Sequence, residues 1–331
     1  FDQKRIKEYA LLILIESKIR VNNNFDYISS FYRNLKKNDE KTLMESKVLG
    51  LDSELNLECD HGEANGLMLI NVLCHYAKIK SNQWNQKIKY SFFNYVFYIP
   101  YYIIHFLIKK RVMKYNYKND QEIDYIKKNK GYIVFSKEES KILLKKCKEE
   151  KISLMSYILF HANEVLKKEL IFDKNTNWIF PINYHPTLNT DNFLSNNFSL
   201  SFLELKDHYK MKEYDKLMKK SVKKMTWIRL MIEMVFANLF SLIDKNFIKK
   251  LKDKGETTFG SISFLGYYKT QYPNLKLIGY SPTNSFLLNT IVFGIKDKEI
   301  FICINTYNKI LKNDEHINEI TNQIKRNILN D

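Results

Sequence analysis

The stretch Asp60-His61-Gly62-Glu63-Ala64-Asn65-Gly66 decides how this chain is read. The residues before it, Glu54-Leu55-Asn56-Leu57-Glu58-Cys59-Asp60, alternate polar and apolar with the period of a half-buried strand. His61 keeps the phase of Leu55, Leu57 and Cys59, so the alternation aims its imidazole at the enclosed face. After Gly62 the apolar run Leu67 to Leu73 reads as a helix, with Asn65 as its N-cap. A histidine at a strand–turn–helix junction suits a general base, and it equally suits a core histidine whose hydrogen bonds are met. The residues alone leave both readings open.

Working outward, Met44 to Cys59 predicts two strands joined by a turn at Gly50-Leu51-Asp52-Ser53. An apolar helix is expected over residues 3–18. Residues 91–108, SFFNYVFYIPYYIIHFLI, approach the length of a membrane span but contain Asn94, Pro100 and His105. They read as a buried or interfacial helix with a proline kink, and Lys109, Lys110 and Arg111 directly after them suit an interfacial anchor. The charged residues 118–130 read as a linker, which divides the chain into lobes 1–130 and 131–331. In the second lobe a short strand is expected at Tyr132 to Phe135. Ser136-Lys137-Glu138-Glu139 is a capping box, and a further helix starts after Ser153. Strands follow at 178–182, 198–205, 261–264 and 275–280, with a lysine-rich helical region over 212–252. A hairpin over 286–305 turns at Lys296-Asp297-Lys298, and a helix over 314–329 closes the chain. Strands interleaved with helices in both halves predict a layered α/β or α+β architecture.

Composition bounds the function. A chain of 331 residues with 45% hydrophobic and 14% aromatic content is globular. The net charge of +16 invites a nucleic-acid or anionic-membrane reading. The lysines are spread along the chain, so nucleic acid is not expected as a partner, while peripheral membrane contact stays open. Cys59, Cys74, Cys147 and Cys303 show no metal-ligand spacing and read as free thiols in a reducing, cytoplasmic compartment. There is no start methionine and no signal-peptide pattern, so the sequence reads as a piece of a longer product. Neither a phosphate-cradling glycine loop nor zinc spacing is present, and no permanently bound cofactor is expected.

The residues also carry a resemblance. The stretch from Cys59 to Gly66 resembles the HHxxxDG signature of the chloramphenicol acetyltransferase-like superfamily. That superfamily includes condensation domains, alcohol acetyltransferases and wax ester synthase/diacylglycerol acyltransferases. In chain order, Phe180-Pro181-Ile182-Asn183-Tyr184-His185-Pro186 resembles its PVxxRP strand, Asn196-Asn197-Phe198 its GN segment, and Ser261-Ile262-Ser263-Phe264-Leu265-Gly266 its SNxG strand. The resemblance implies two similar αβ lobes with a channel between them. It implies an acyl group carried as acyl-CoA or as a carrier-protein thioester, and an alcohol, amine or lipid acceptor. By that carry-over His61 is the general base, acting as neutral imidazole near its ordinary pKa of ~6.5. Ser263 is the candidate donor to the developing oxyanion, with the Gly62 or Gly66 amide as its rival.

Three departures accompany the resemblance. Asp60 stands for the first histidine, Asn65 for the aspartate, and His185 for the arginine of the RP strand. The last two form a structural ion pair in the superfamily, and here both have lost formal charge. Either a neutral Asn65–His185 hydrogen bond substitutes for the pair, or the chain is a non-catalytic member that binds an acyl ligand or a protein partner. Cys59 beside His61 raises a Cys–His nucleophile, which parallel strand side chains disfavour. His161 on an apolar helix face reads as a core histidine. The helix near residues 219–240 reads as packing of the second lobe.

Overall fold

The computed structural model describes residues 43–49, 55–60, 80–82, 92–108, 115–119, 128–183, 198–225, 258–269, 276–282, 287–307, 310–313 and 315–331, with positions 228, 232, 235 and 236 besides. The alternating stretch forms a hairpin, β1 (Leu43–Leu49) and β2 (Leu55–Asp60), in which Leu43 lies opposite Asp60. A strand from far along the chain, β8 (Lys276–Pro282), pairs antiparallel with the other edge of β1, giving a three-stranded sheet in the order β2-β1-β8. A three-residue strand, β3 (Lys80–Asn82), makes the reciprocal excursion. It pairs with β7 (Thr258–Lys269) of the larger sheet. Each sheet thus contains a strand from the opposite side of residue 130. The helix expected over 3–18 lies outside the described residues.

The larger sheet runs β4 (Lys128–Val134), β10 (Glu299–Tyr307), β9 (Leu287–Lys296), β7, β5 (Thr176–Asn183), β6 (Phe198–Leu205). β9 and β10 form the expected hairpin. Its two-residue turn holds Asp297 at φ 48° and Lys298 at φ 74°, the left-handed pair that matches strand twist in a tight hairpin. β7 runs parallel to both β9 and β5, so the sheet is mixed. Pro181 fits within β5 because the β5–β7 ladder covers only Trp178 and Ile179, which leaves Pro181 no donor to supply on that side.

Helices cover one face of this sheet. The capping box forms as read: the Ser136 hydroxyl accepts from the Glu139 amide at 3.1 Å, and the Glu139 carboxylate accepts from the Ser136 amide at 2.8 Å. It opens α2 (Lys137–Glu149). Ser153 caps α3 (Leu154–Leu170), and α4 (Met211–Lys223) and α5 (His316–Asn330) pack alongside. Residues Ile262, Ile291 and Ile304 lie opposite one another across β7, β9 and β10 and join the core beneath the helices. Gly131 continues that row on β4, where a Cβ would meet Ile317 and Thr321 of α5. Gly260 is needed for a similar reason, since any side chain there would strike the Trp178 ring.

Asn163 of α3 holds the layers in register. Its oxygen accepts from Thr176 at 2.7 Å and from the Trp178 indole at 2.8 Å, and its amide donates to the Tyr214 hydroxyl at 2.8 Å. Asp215 does the same for the start of α3. Burial pushes its carboxyl up, but Lys219 at 2.5 Å and donors from Ser153 and Ser156 outweigh this and hold it below the usual carboxylate range. The segment read as an aromatic helix is α1 (Phe92–Ile108), with Pro100 inside it. Among the described residues no helix is long and apolar enough to cross a membrane.

Candidate active site

β2 ends at Asp60, so the strand half of the signature forms as expected and His61 follows it directly in the chain. His61, Gly62, Asn65, Gly66 and His185 lie outside the described residues, as does the neutral Asn65–His185 pairing. Ser263 falls within β7 and is buried. β8, the outer strand of the sheet that contains β2, runs close to β9 and β10 of the larger sheet.

The position of Ser263 in its sheet is informative. It lies opposite Val292 of β9, which lies opposite Cys303 of β10. Two residues away along each strand (back on β7 and β9, forward on β10), and therefore on the same face, Ser261 lies opposite Thr290, and Thr290 opposite Asn305. This face is opposite the one that meets the helices, because its residues alternate with Ile262, Ile291 and Ile304. Ser261, Thr290 and Asn305 are at most 4% exposed, yet among the described residues the Ser261 hydroxyl, the Thr290 hydroxyl and the Asn305 amide nitrogen have no hydrogen-bond partner. Among the described residues the Asn305 oxygen receives only a weak contact from the Cys303 thiol at 3.9 Å. Neighbouring strands lie about 4.8 Å apart, so three orphaned groups form a row roughly 10 Å long beside Ser263.

Buried polar groups are nearly always paired, and each that is not costs about 1–3 kcal/mol. A row of them is a standing cost at one place in the sheet. Such a row can serve two hydroxyls and an amide N–H₂ to carbonyl or hydroxyl oxygens of a bound chain. Downstream of Ser263, β7 carries an irregularity between Phe264 and Tyr267, where Gly266 sits at φ 106°. That left-handed conformation explains the glycine of the SNxG-like segment: it lets the strand bulge just past the serine.

Sequence reading missed Thr290, Asn305 and the significance of Ser261. One signal was available. Both strands of the hairpin carry an Asn-Thr pair, Asn289-Thr290 and Asn305-Thr306, inside otherwise apolar runs.

Other expectations resolve more simply. His161 is 5% exposed and packs against Tyr157 and Phe160, a core histidine as read. Burial lowers its pKa to about 4 even though the Asp331 carboxylate stands 3.5 Å away. Cys147 and Cys303 are buried, and burial pushes the Cys147 thiol up to about 11, far from a reactive thiolate. The side chains of Cys59 and Cys74 lie outside the described residues, so the Cys59–His61 pair does too. No cluster of histidine, cysteine or carboxylate groups able to hold a metal occurs among the described residues.

No protein-family model matches the chain, and neither does any curated protein sequence. Solved structures do match. The epimerization domain from the third module of tyrocidine synthetase B aligns over 84% of this chain and 68% of its own length, at 11% identity and a TM-score of 0.53. The cyclization-docking bidomain of the nonribosomal peptide synthetase EpoB from Sorangium cellulosum aligns over 83% and 59%, at 11% identity and 0.54. The nonribosomal peptide synthetase FmoA3, in its α-methyl-L-serine-AMP bound form, aligns over 90% of this chain and 36% of its own length, at 10% identity and 0.55. The chain spans less than two thirds of the second and third of these structures. At such identities the likeness establishes the fold alone: a mixed αβ architecture shared with these synthetase domains, as the resemblance in the sequence implies.

Proposed function

We propose that the chain transfers an acyl group from a thioester, carried on a carrier protein or on coenzyme A, to an amine or hydroxyl acceptor. Proteins of the same fold are named for epimerization and for cyclization within peptide synthetases, so the fold alone does not choose the reaction. The observation that carries the choice is the row Ser261, Thr290 and Asn305 beside Ser263. An acyl donor supplies the carbonyl oxygens that these unpaired donors lack.

In this reading His61 takes the proton from the acceptor as it attacks the thioester carbonyl. The Ser263 hydroxyl donates to the oxyanion, and collapse of the tetrahedral centre expels the thiolate, which takes up a proton. The approach of β8, which shares a sheet with β2, to β9 and β10 supports this reading. A second reading, a binder without turnover, rests on the joint loss of charge at Asn65 and His185.

Release of free thiol from acyl-CoA or from acyl-loaded carrier protein, in the presence of an amine or alcohol acceptor, separates the two readings. His61→Ala is expected to lower the rate about 10²–10⁴-fold, the usual contribution of a placed base. Ser263→Ala is expected to lower it about 10²–10³-fold. A rate unchanged by His61→Ala removes the base assignment. Thioester binding without acceptor-dependent release selects the binder.

A further inference from the structure

Helix α1 reverses the usual arrangement of an amphipathic surface helix. Its inward side is fixed by Tyr102, which is 6% exposed and donates its hydroxyl to the Lys224 carbonyl at 2.9 Å, with Tyr95, Tyr98 and Ile103 partly packed on the core. Over residues 92–104 its outward side is apolar. Phe93, Phe97 and Ile104 are 70%, 72% and 55% exposed, and their spacing places them on one stripe with the exposed Pro100. Phe92, Val96 and Tyr101 widen that stripe to either side. A contiguous exposed apolar surface of this kind marks an interaction site.

The charge around the helix says what covers it. From Ala64 to Asn119 the sequence contains no aspartate or glutamate and nine lysines or arginines. Lys87 and Lys89 precede the helix, and Lys109, Lys110, Arg111 and Lys114 follow it. Basic residues at both ends of an exposed aromatic stripe match a surface whose apolar interior lies beneath negative headgroups. The helix is too short to cross: 17 residues span about 25 Å against a hydrocarbon core of about 30 Å, and one side is tied to the protein. We propose that α1 lies flat in the interface of an anionic lipid bilayer, with its phenylalanines below the headgroups and the flanking lysines among them. This inference stands apart from the acyltransferase reading and does not depend on it.

The test is co-sedimentation of the whole chain with phosphatidylcholine vesicles, with and without phosphatidylserine, at low and high salt. Phosphatidylserine is expected to raise the bound fraction at least about tenfold, with the gain lost at high salt. The variant Phe93→Ser/Phe97→Ser is expected to weaken binding at least about tenfold. Both residues are largely exposed, so its melting temperature is expected to match the parent's. Lys109→Glu/Lys110→Glu is expected to remove the phosphatidylserine preference alone. Equal binding by the phenylalanine variant overturns the proposal, as does absence of binding to either vesicle. A concentration-dependent dimer that the same variant abolishes, without vesicle binding, assigns the stripe to a second copy of the chain instead.

Discussion

The two faces of the larger sheet are built from the same strands but differ in how they handle their buried polar groups. On the helix side the buried asparagines find partners, although the Nε2 of His161 on α3 does not among the described residues. Asn289 accepts from Thr306 at 2.9 Å and donates to the Phe259 carbonyl at 2.8 Å, while Asn163 serves three groups at once. On the other side, one residue away along the same strands, Thr290 lies between Ser261 and Asn305, and among the described residues their hydroxyls and amide nitrogen are unpaired. Burial is as complete on one face as on the other, so exposure does not explain the difference. The helix face is optimised for stability. The opposite face keeps polar groups whose pairing the fold itself does not provide, as functional surfaces commonly do.

The largest effect that would sharpen this contrast lies on the helix side. Asn163→Ala removes the acceptor of Thr176 and Trp178 and the donor to Tyr214, leaving three buried polar groups stranded. Denaturant unfolding is expected to show a loss of about 4 kcal/mol. A loss below about 1 kcal/mol would mean that this face tolerates unpaired groups as readily as the other, and the comparison would fail.

Next in size is a pH effect in the same layer. His161 is enclosed beside Tyr157, with Asp331 and Lys146 the charged groups near it. Its folded pKa of about 4 lies below the ordinary value of 6.5, so the unfolded chain takes up the proton first. The stabilisation is therefore complete above about pH 6.5 and is lost as pH falls through about 4, amounting to on the order of 3 kcal/mol. Urea unfolding across that range is expected to show the loss in the parent and a shallower dependence in His161→Leu. The difference between the two proteins isolates this residue from the other six histidines. Equal slopes would show that the ring is protonated, and hence solvated, in the folded state.

The contrast between the faces also explains what could be read in advance. Elements with local signals were legible: the capping box at Ser136, the Ser153 cap, the β9–β10 turn and the strand β2 all formed as the residues dictate. Lys128-Asn129-Lys130 was read as linker because it is polar, yet it forms the first half of β4. That strand is an edge of the sheet, where lysine is favoured and an apolar period is not required. β3 was invisible for another reason: three residues carry no period at all, and only the partner β7 makes them a strand. At the site, Ser263 was legible through the resemblance. Thr290 and Asn305 were not, since their meaning arises only when β9 and β10 are laid beside β7. Sequence position alone cannot tell Thr290 from Asn289, which shares its neighbourhood and faces the other way.

That adjacency gives the finest test. Asn289→Val leaves the Thr306 hydroxyl without its acceptor and the Phe259 carbonyl without its donor, and is expected to cost about 2 kcal/mol. Thr290→Val, one residue away, replaces a buried hydroxyl that has no partner among the described residues with a methyl group of nearly the same shape. It is expected to leave stability unchanged or raise it by up to about 1 kcal/mol, because no hydrogen bond is lost and an unpaired polar group is removed. Thermal unfolding of both variants, read beside their rates of thioester cleavage, separates the faces by sign. If the hydroxyl is kept for binding the acyl donor, Thr290→Val is the more stable and the less active of the two proteins. Were Thr290→Val instead to destabilise the fold as Asn289→Val does, the row of unpaired groups would belong to the ordinary core and the asymmetry between the faces would have no functional content.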